Sequence, residues 1–270
     1  MSQRRSRGRI PLVLVSIFAA ALTLAADIDW ADIEGRTQYA YYTEDARALN
    51  GVLASLEPKP VEGEAPSAAQ ESSRSYFRAL AYYRLAQVLS TGKKSKARGA
   101  VDDCGKQIDH LVDALPKLAL GVEESDAVKH QRAEAYALGT ACTIAGREMT
   151  SIPFVGGRIG SRIDEAVKLE PKNPRVRLVE ALAAFDRAGN DAAARNAALQ
   201  KLRNVTVMFE AARAGASSTP EWGAAEAYAF LGRALFDQRD LVGAREALER
   251  ALLVAPDYAY ARRLMAQITR

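Results

Sequence analysis

The sequence predicts an all-α protein built as a right-handed superhelical stack of roughly four helical hairpins, and three observations carry that prediction. Alanine dominates a hydrophobic content of 49%, and β-branched runs with period-two alternation are absent, so nearly every segment reads as helix. Between Tyr228 and Pro256 the residues Tyr228, Leu231-Gly232, Leu235, Ala244, Leu248, Ala251 and Pro256 fall at the spacing of two antiparallel helices in close contact. Gly232 and Ala244 have little or no side chain, which lets the backbones approach, and the leucines fill the space between them. The separations from Ala244 to Leu248, Ala251 and Pro256 recur at Cys104, Ile108, Leu111 and Pro116, so an earlier hairpin shares the register.

Taken in order, the chain opens with Arg4, Arg5, Arg7 and Arg9, an uncharged run from Ile10 to Ala26, and small residues at Thr23, Ala25 and Ala26. This is the layout of a signal peptide over residues 1–26, cleaved after Ala25 or Ala26. The apolar run is shorter than the roughly 20 residues of a spanning helix, so no stable membrane insertion is expected after cleavage. Ser6-Arg7-Gly8 lacks the apolar residues that a twin-arginine signal would carry after Arg4-Arg5, which favours the general secretory route. The chain has 37 Lys and Arg against 33 Asp and Glu. Four of the arginines lie in residues 1–26 and no acid does, leaving 33 against 33. A balanced mature chain has no electrostatic footprint for nucleic acid.

Residues 27–56 form an N-terminal helical segment, one long helix or a pair, whose Tyr39, Tyr41 and Tyr42 suit packing or a ligand platform. Pro58, Pro60, Gly63 and Pro66 mark residues 57–70 as a Pro/Glu-rich linker. The helical array then occupies residues 71–270. A helix carries Tyr76, Phe77, Leu80, Tyr83, Leu85, Val88 and Leu89, and a basic turn at 91–96 separates it from the Cys104 helix. Another helix runs from near Ser125 through Leu138-Gly139 and Cys142 to about Met149. The glycine-rich passage from Ile152 to Gly160 has no strand before it and no Lys-Ser/Thr pair at its end, so it reads as an interhelix loop rather than a phosphate cradle.

Ile163, Ala166, Leu169 and Pro171 close the next hairpin, and Asn173-Pro174 opens another. A long helix over 190–213 and a loop at Ala214 to Ser218 follow, and Thr219-Pro220-Glu221 restarts helix. The most regular unit spans 225–258, and residues 259–270 form a capping helix.

The pattern from Tyr228 to Pro256 is the W-x2-L-G-x2-Y, A-x3-F, P pattern of a tetratricopeptide (TPR) repeat, with Tyr in the Trp place and Leu in the Tyr and Phe places. With Leu169-Glu170-Pro171-Lys172-Asn173-Pro174-Arg175-Val176, the long helix to Phe209, and Glu221-Trp222-Gly223 before Leu231-Gly232, the chain resembles the exported bacterial TPR proteins of the cell envelope. The resemblance covers roughly residues 75–258 and implies a periplasmic, non-enzymatic scaffold that binds another envelope protein or peptide, in envelope assembly or alongside a transporter. The first helix of each hairpin should line a concave face carrying Glu226, Ala229, Arg233 and Phe236, with Arg175, Leu178, Leu182 and Phe185 one unit earlier. Glu226, Arg233, Phe236, Arg175 and Phe185 are therefore the expected partner-binding residues. The Lys and Asn that grip a C-terminal carboxylate in some TPR proteins are absent here, where Glu226, Ala229, Phe230 and Arg233 stand instead. The alternative is a periplasmic carrier enclosing a small ligand between the long helices and the tyrosine cluster.

An enzyme is not expected. His110 and His130 lie on different helices among charged neighbours, and neither His-Glu-x-x-His nor Cys-x-x-Cys nor a nucleophile elbow occurs. No catalytic residue, metal or cofactor is assigned. Cys104 and Cys142, the two cysteines of an exported chain, either form a disulfide or fill small packing positions.

Overall fold

A computed structural model describes residues 28–58, 67–115, 124–150, 156–213 and 221–269, which form eleven helices and no strand. These are α1 (Trp30–Tyr42), α2 (Ala46–Ser55), α3 (Ala68–Leu89), α4 (Lys94–Ala114), α5 (Asp126–Thr150), α6 (Gly156–Leu169), α7 (Pro174–Ala188), α8 (Ala192–Arg213), α9 (Ala224–Asp237), α10 (Leu241–Val254) and α11 (Ala259–Ile268). The protein is all-α among the described residues. Residues 1–27, which contain the expected signal peptide, lie outside them, as does most of the expected linker.

Local chemistry sets the helix starts. Asp29 and Asp45 accept backbone N–H groups at the starts of α1 and α2, and Glu44 at φ 56° makes the turn between them. The N-terminal segment is therefore a pair of helices. The linker is shorter than the composition suggested, because Ser67 and Gln70 form a capping box that starts α3 at Ala68. Asn173 caps α7 with Pro174 in its first turn. Two boundaries differ from expectation. Gly156, Gly157 and Gly160 belong to α6 rather than to an interhelix loop. Regular helix resumes at Ala224, after Gly223 at φ 111°, whereas Thr219-Pro220 and the loop at 214–218 lie outside the described residues.

Consecutive helices pack as hairpins, α1 with α2 through α9 with α10, and each even helix also touches the odd helix that follows it. Odd helices pack on one another as well: α1 on α3, α3 on α5, α5 on α7, and α9 on α11. Leu178 of α7 shares a buried cluster with Ala224 and Ala227 of α9. Tyr41 and Tyr42 of α1 share another with Ala225 of α9 and Ala261 of α11. The odd helices therefore surround one axis, and the first of them meets the last two.

The hairpin seams depend on close approach. A Cβ added to Gly232 would lie 2.8 Å from Leu248 Cγ and 3.2 Å from the Ala244 carbonyl oxygen. One added to Gly139 would lie 2.9 Å from Ile108 Cγ2. Ile108 and Leu248 occupy the corresponding positions of the recurring spacing, so both seams place a glycine under the same position. Cys104 and Cys142 are joined in a disulfide across the α4–α5 seam, with Cα atoms 6.4 Å apart, and no free cysteine remains.

Candidate functional site

The axis enclosed by the odd helices is polar where a core is ordinarily apolar. Arg84 sits within Leu80-Ala81-Tyr82-Tyr83-Arg84-Leu85-Ala86, so the apolar face of α3 carries its guanidinium inward. The residue is 1% exposed and forms an ion pair with Glu226 of α9. Its Nε donates to Gln38 Oε1 at 2.9 Å, one terminal nitrogen donates to Gln87 Oε1 at 2.9 Å, and the guanidinium lies 4.1 Å from the centre of the Tyr41 ring. Glu226 also accepts hydrogen bonds from Gln38 (3.0 Å), Tyr42 (3.1 Å) and the Gly223 backbone N–H (2.9 Å). Tyr41 and Tyr258 join hydroxyls at 2.8 Å.

A second cluster continues along the same axis. Arg175 of α7 contacts Glu34 of α1 at 2.9 Å, Glu221 at 3.4 Å and Glu134 of α5 at 3.6 Å. Glu134 accepts from Tyr76 at 2.7 Å and from Asn173 at 2.7 Å. Trp222 is the link between the clusters: its indole N–H donates to the Tyr76 hydroxyl at 2.9 Å, its backbone N–H donates to Glu34 at 3.0 Å, and its ring lies 5.8 Å from the Arg84 guanidinium and 5.4 Å from that of Arg175.

A charge buried in a protein is tolerated when it is paired and its remaining donors and acceptors are satisfied, and these clusters meet that condition. Burial alone would lower the affinity of Arg84 and Arg175 for their protons, yet Glu226, in one case, and Glu134 with Glu34, in the other, hold both above the ordinary arginine value. Burial pushes the Tyr41 hydroxyl up to about 12 and those of Tyr42, Tyr76 and Tyr258 well above the usual phenol value. Glu34 is raised by burial against the opposing pull of Arg175.

This plug leaves a cavity at each end of the axis. The larger, 630 Å³, lies at the C-terminal ends of α1, α3, α5, α7 and α9 and the start of α11, with Ile144, Leu182, Phe185 and Phe230 as apolar lining and Arg233 and Arg263 among its charged residues. Arg233 Nε is 2.9 Å from Asp237, and Arg263 pairs with Glu44 through both terminal nitrogens, at 2.7 and 2.6 Å. The smaller cavity, 190 Å³, lies nearer the N-terminal ends and is bounded by Glu34, Tyr76, Phe77, His130, Glu134 and Arg175, with Ser72 and Ser73.

The five residues expected on a concave binding face therefore separate. Phe185 and Arg233 line the larger cavity. Glu226 is 1% exposed, and its carboxylate bonds Arg84, Gln38 and Tyr42. Arg175 is likewise committed inside, to three carboxylates. Phe236 is half-buried and packs against two of the apolar clusters. Of the tyrosine cluster, Tyr41 and Tyr42 are core residues and Tyr39 is exposed.

Sequence reasoning missed Arg84, Gln38, Glu34 and Glu134. Their signal was a lone polar residue on a face otherwise made of Ala, Leu and Tyr, which a count of apolar spacing passes over. His110 is exposed, and His130 is half exposed and bonded to Glu170 at 2.9 Å. Among the described residues no group of three or more His, Cys, Asp and Glu side chains is placed to hold a metal ion, and no helix is long and apolar enough to cross a membrane. No model of a known protein family matches the sequence, and no characterised protein is significantly similar to it.

Proposed function

We propose that the protein is an exported, non-enzymatic helical-repeat binding protein of the TPR type, which receives a segment of another envelope protein in the larger axial cavity. The observation that carries this reading is the combination found there: an apolar floor from Leu182, Phe185 and Phe230, with Arg233 and Arg263 beside it, paired to Asp237 and Glu44 at the rim. The hairpin order and the glycine seams support a TPR-like superhelical stack. The basic and apolar N-terminal sequence and the disulfide support export to the periplasm. The binding surface is narrower than a full concave groove, because Glu226 and Arg175 are withdrawn into the plug. The test is photocrosslinking in intact cells from position 185 or 230, followed by capture with Phe185→Ala and Arg233→Glu combined. One defined protein partner should appear and be lost in the double variant; retention of every partner sinks the assignment.

A small-ligand carrier is the second reading. The same cavity is bounded by Tyr41 of the tyrosine cluster and by Tyr258, and its volume lies within the range of small-molecule sites. Native mass spectrometry of the protein isolated from its host separates the two: a bound mass of a few hundred daltons that is absent in the double variant favours the carrier.

A further inference from the structure

The outer helix α10 carries a surface that the axis does not explain. Among the described residues five large apolar side chains are exposed, and three of them, Leu241, Val242 and Leu253, belong to this one helix. Val242 is 72% and Leu253 75% exposed. Val242, Glu246, Glu249 and Leu253 follow at i, i+4, i+7 and i+11, so they form one line along the helix. At 3.6 residues per turn Arg245 flanks that line on the side of Glu249, and Arg250 flanks it on the side of Glu246. The residues bordering the two axial cavities include none from α10. Leu241, Val242 and Glu246 instead border a surface groove shared with Ile268 of α11.

The order of these residues is symmetric. Counted outwards from the midpoint between Ala247 and Leu248, Glu246 answers Glu249, Arg245 answers Arg250, Ala244 answers Ala251, Val242 answers Leu253 and Leu241 answers Val254. A helix whose chemistry reads alike from both ends is self-complementary across a two-fold axis, the symmetry of an isologous dimer. We propose that α10 is a homodimer interface, on which a second copy of this chain docks with its own α10 antiparallel. Val242 of each copy then stands level with Leu253 of the other, and both exposed ends are covered. The two-fold axis keeps each flank on its own side, so Arg245 of one copy comes within about one residue rise, ~1.5 Å along the helix, of Glu249 of the other, and Arg250 likewise of Glu246. Opposite charges therefore close the middle between two apolar ends. The groups are available for it. Arg245 spends Nε on Glu249 of its own helix at 2.8 Å, which leaves its terminal nitrogens without a described partner, and Glu246 has none either. A partner of another sequence would need the same symmetric order to meet both ends and both flanks, and a second copy carries it already.

A face one helix long buries less than the roughly 1,200–2,000 Å² of a standard stable interface, so the dimer should be reversible with a micromolar Kd. Sedimentation velocity of the full-length mature protein from about 1 to about 300 μM should show the mass rising from one chain to two. Val242→Asp combined with Leu253→Asp should raise the half-association concentration at least about tenfold. Charge exchange tests the register. One variant carries Arg245→Glu and Arg250→Glu, the other Glu246→Arg and Glu249→Arg. Each alone should stay monomeric, because like charges then face one another across the two-fold axis, while the two mixed should form a one-to-one dimer. All the substituted positions are exposed, so the variants should fold, and circular dichroism checks that they do. The Phe185→Ala and Arg233→Glu double variant should associate as wild type, which keeps this surface distinct from the larger cavity. The proposal is overturned if wild type remains a single chain throughout the range, if the paired apolar change leaves association unaltered, or if the two folded charge variants do not associate with each other.

Discussion

The seams between hairpin helices and the axis those helices enclose are built on opposite chemistry. At the seams, glycine and alanine bring backbones together, leucine and isoleucine fill the gaps, and in one case a disulfide spans the contact. At the axis, Arg84, Glu226 and Glu134 are buried, Arg175 and Glu34 are mostly so, and all are paired with one another or with tyrosine hydroxyls. Apolar seams are permissive about partners, since leucine packs against leucine wherever it meets it. Buried charges are not permissive, because each wrong neighbour leaves one unpaired. Gln38 reaches Glu226 across 188 residues of sequence, so the axis specifies that α1 closes against α9, whereas the seams stabilise each hairpin locally.

The largest expected effect breaks the axis. Glu226→Leu leaves the Arg84 guanidinium buried without its carboxylate, which should cost about 3–5 kcal/mol in urea unfolding. Adding Arg84→Met to the same chain should return most of that loss, because a buried pair replaced as a unit is often close to neutral. If the single change costs less than about 1 kcal/mol, the axis is not what closes the ring.

The tyrosines give the axis a second signature. The folded-state affinity of Tyr41 for its proton is raised, to about 12 from an ordinary value of 10, so the folded protein holds the proton over a range in which the unfolded chain releases it. Stability is therefore intact below pH 10 and falls as pH rises towards 12, by about 3 kcal/mol for Tyr41 alone at roughly 1.4 kcal/mol per pH unit. Tyr42, Tyr76 and Tyr258 shift in the same direction and steepen the fall. Denaturant unfolding at pH 9, 10.5 and 11.5 measures it. Tyr41→Phe should flatten the profile, and an unchanged slope would mean that Tyr41 does not titrate from a buried state.

The same division explains what was legible in the sequence. Helix identity and the glycine seams depend on local spacing, and spacing is visible in one chain: Leu231-Gly232 with Ala244 and Leu248 needed nothing more. The axis depends on which distant helices meet. Glu226 stands at a position of α9 that looks like an outward polar residue on an inner face, and only the return of α1, with Gln38 and Tyr42, converts it into a core residue. Arg175 misled in the same way, as its three carboxylates come from α1, α5 and the residue just before Trp222. The cavities were illegible for a related reason, since each is what the plug leaves unfilled.

The smallest effect sharpens the comparison within the seams themselves. Gly232→Ala places a methyl 2.8 Å from Leu248 Cγ and 3.2 Å from a backbone oxygen of α10. A side chain can move and a helix backbone cannot without shifting the whole hairpin, so overpacking of about 1–3 kcal/mol should outweigh the gain of up to about 1 kcal/mol in helix propensity. Gly139→Ala meets side chains and no backbone, the Ile108 methyl at 2.9 Å and the Arg162 guanidinium at 3.5 Å. Its cost should be smaller, and it should depend on redox state, because the disulfide from Cys142, three residues further along α5, holds this seam at fixed width. Thermal melts of both variants, oxidised and reduced, separate the two cases. Gly232→Ala should lose the same stability in each condition, while the penalty of Gly139→Ala should shrink on reduction as α4 and α5 part by a few tenths of an ångström. Equal penalties in both redox states would show that the disulfide does not set the width of the α4–α5 seam, and neutral behaviour of both variants would remove the close-approach account of the glycines altogether.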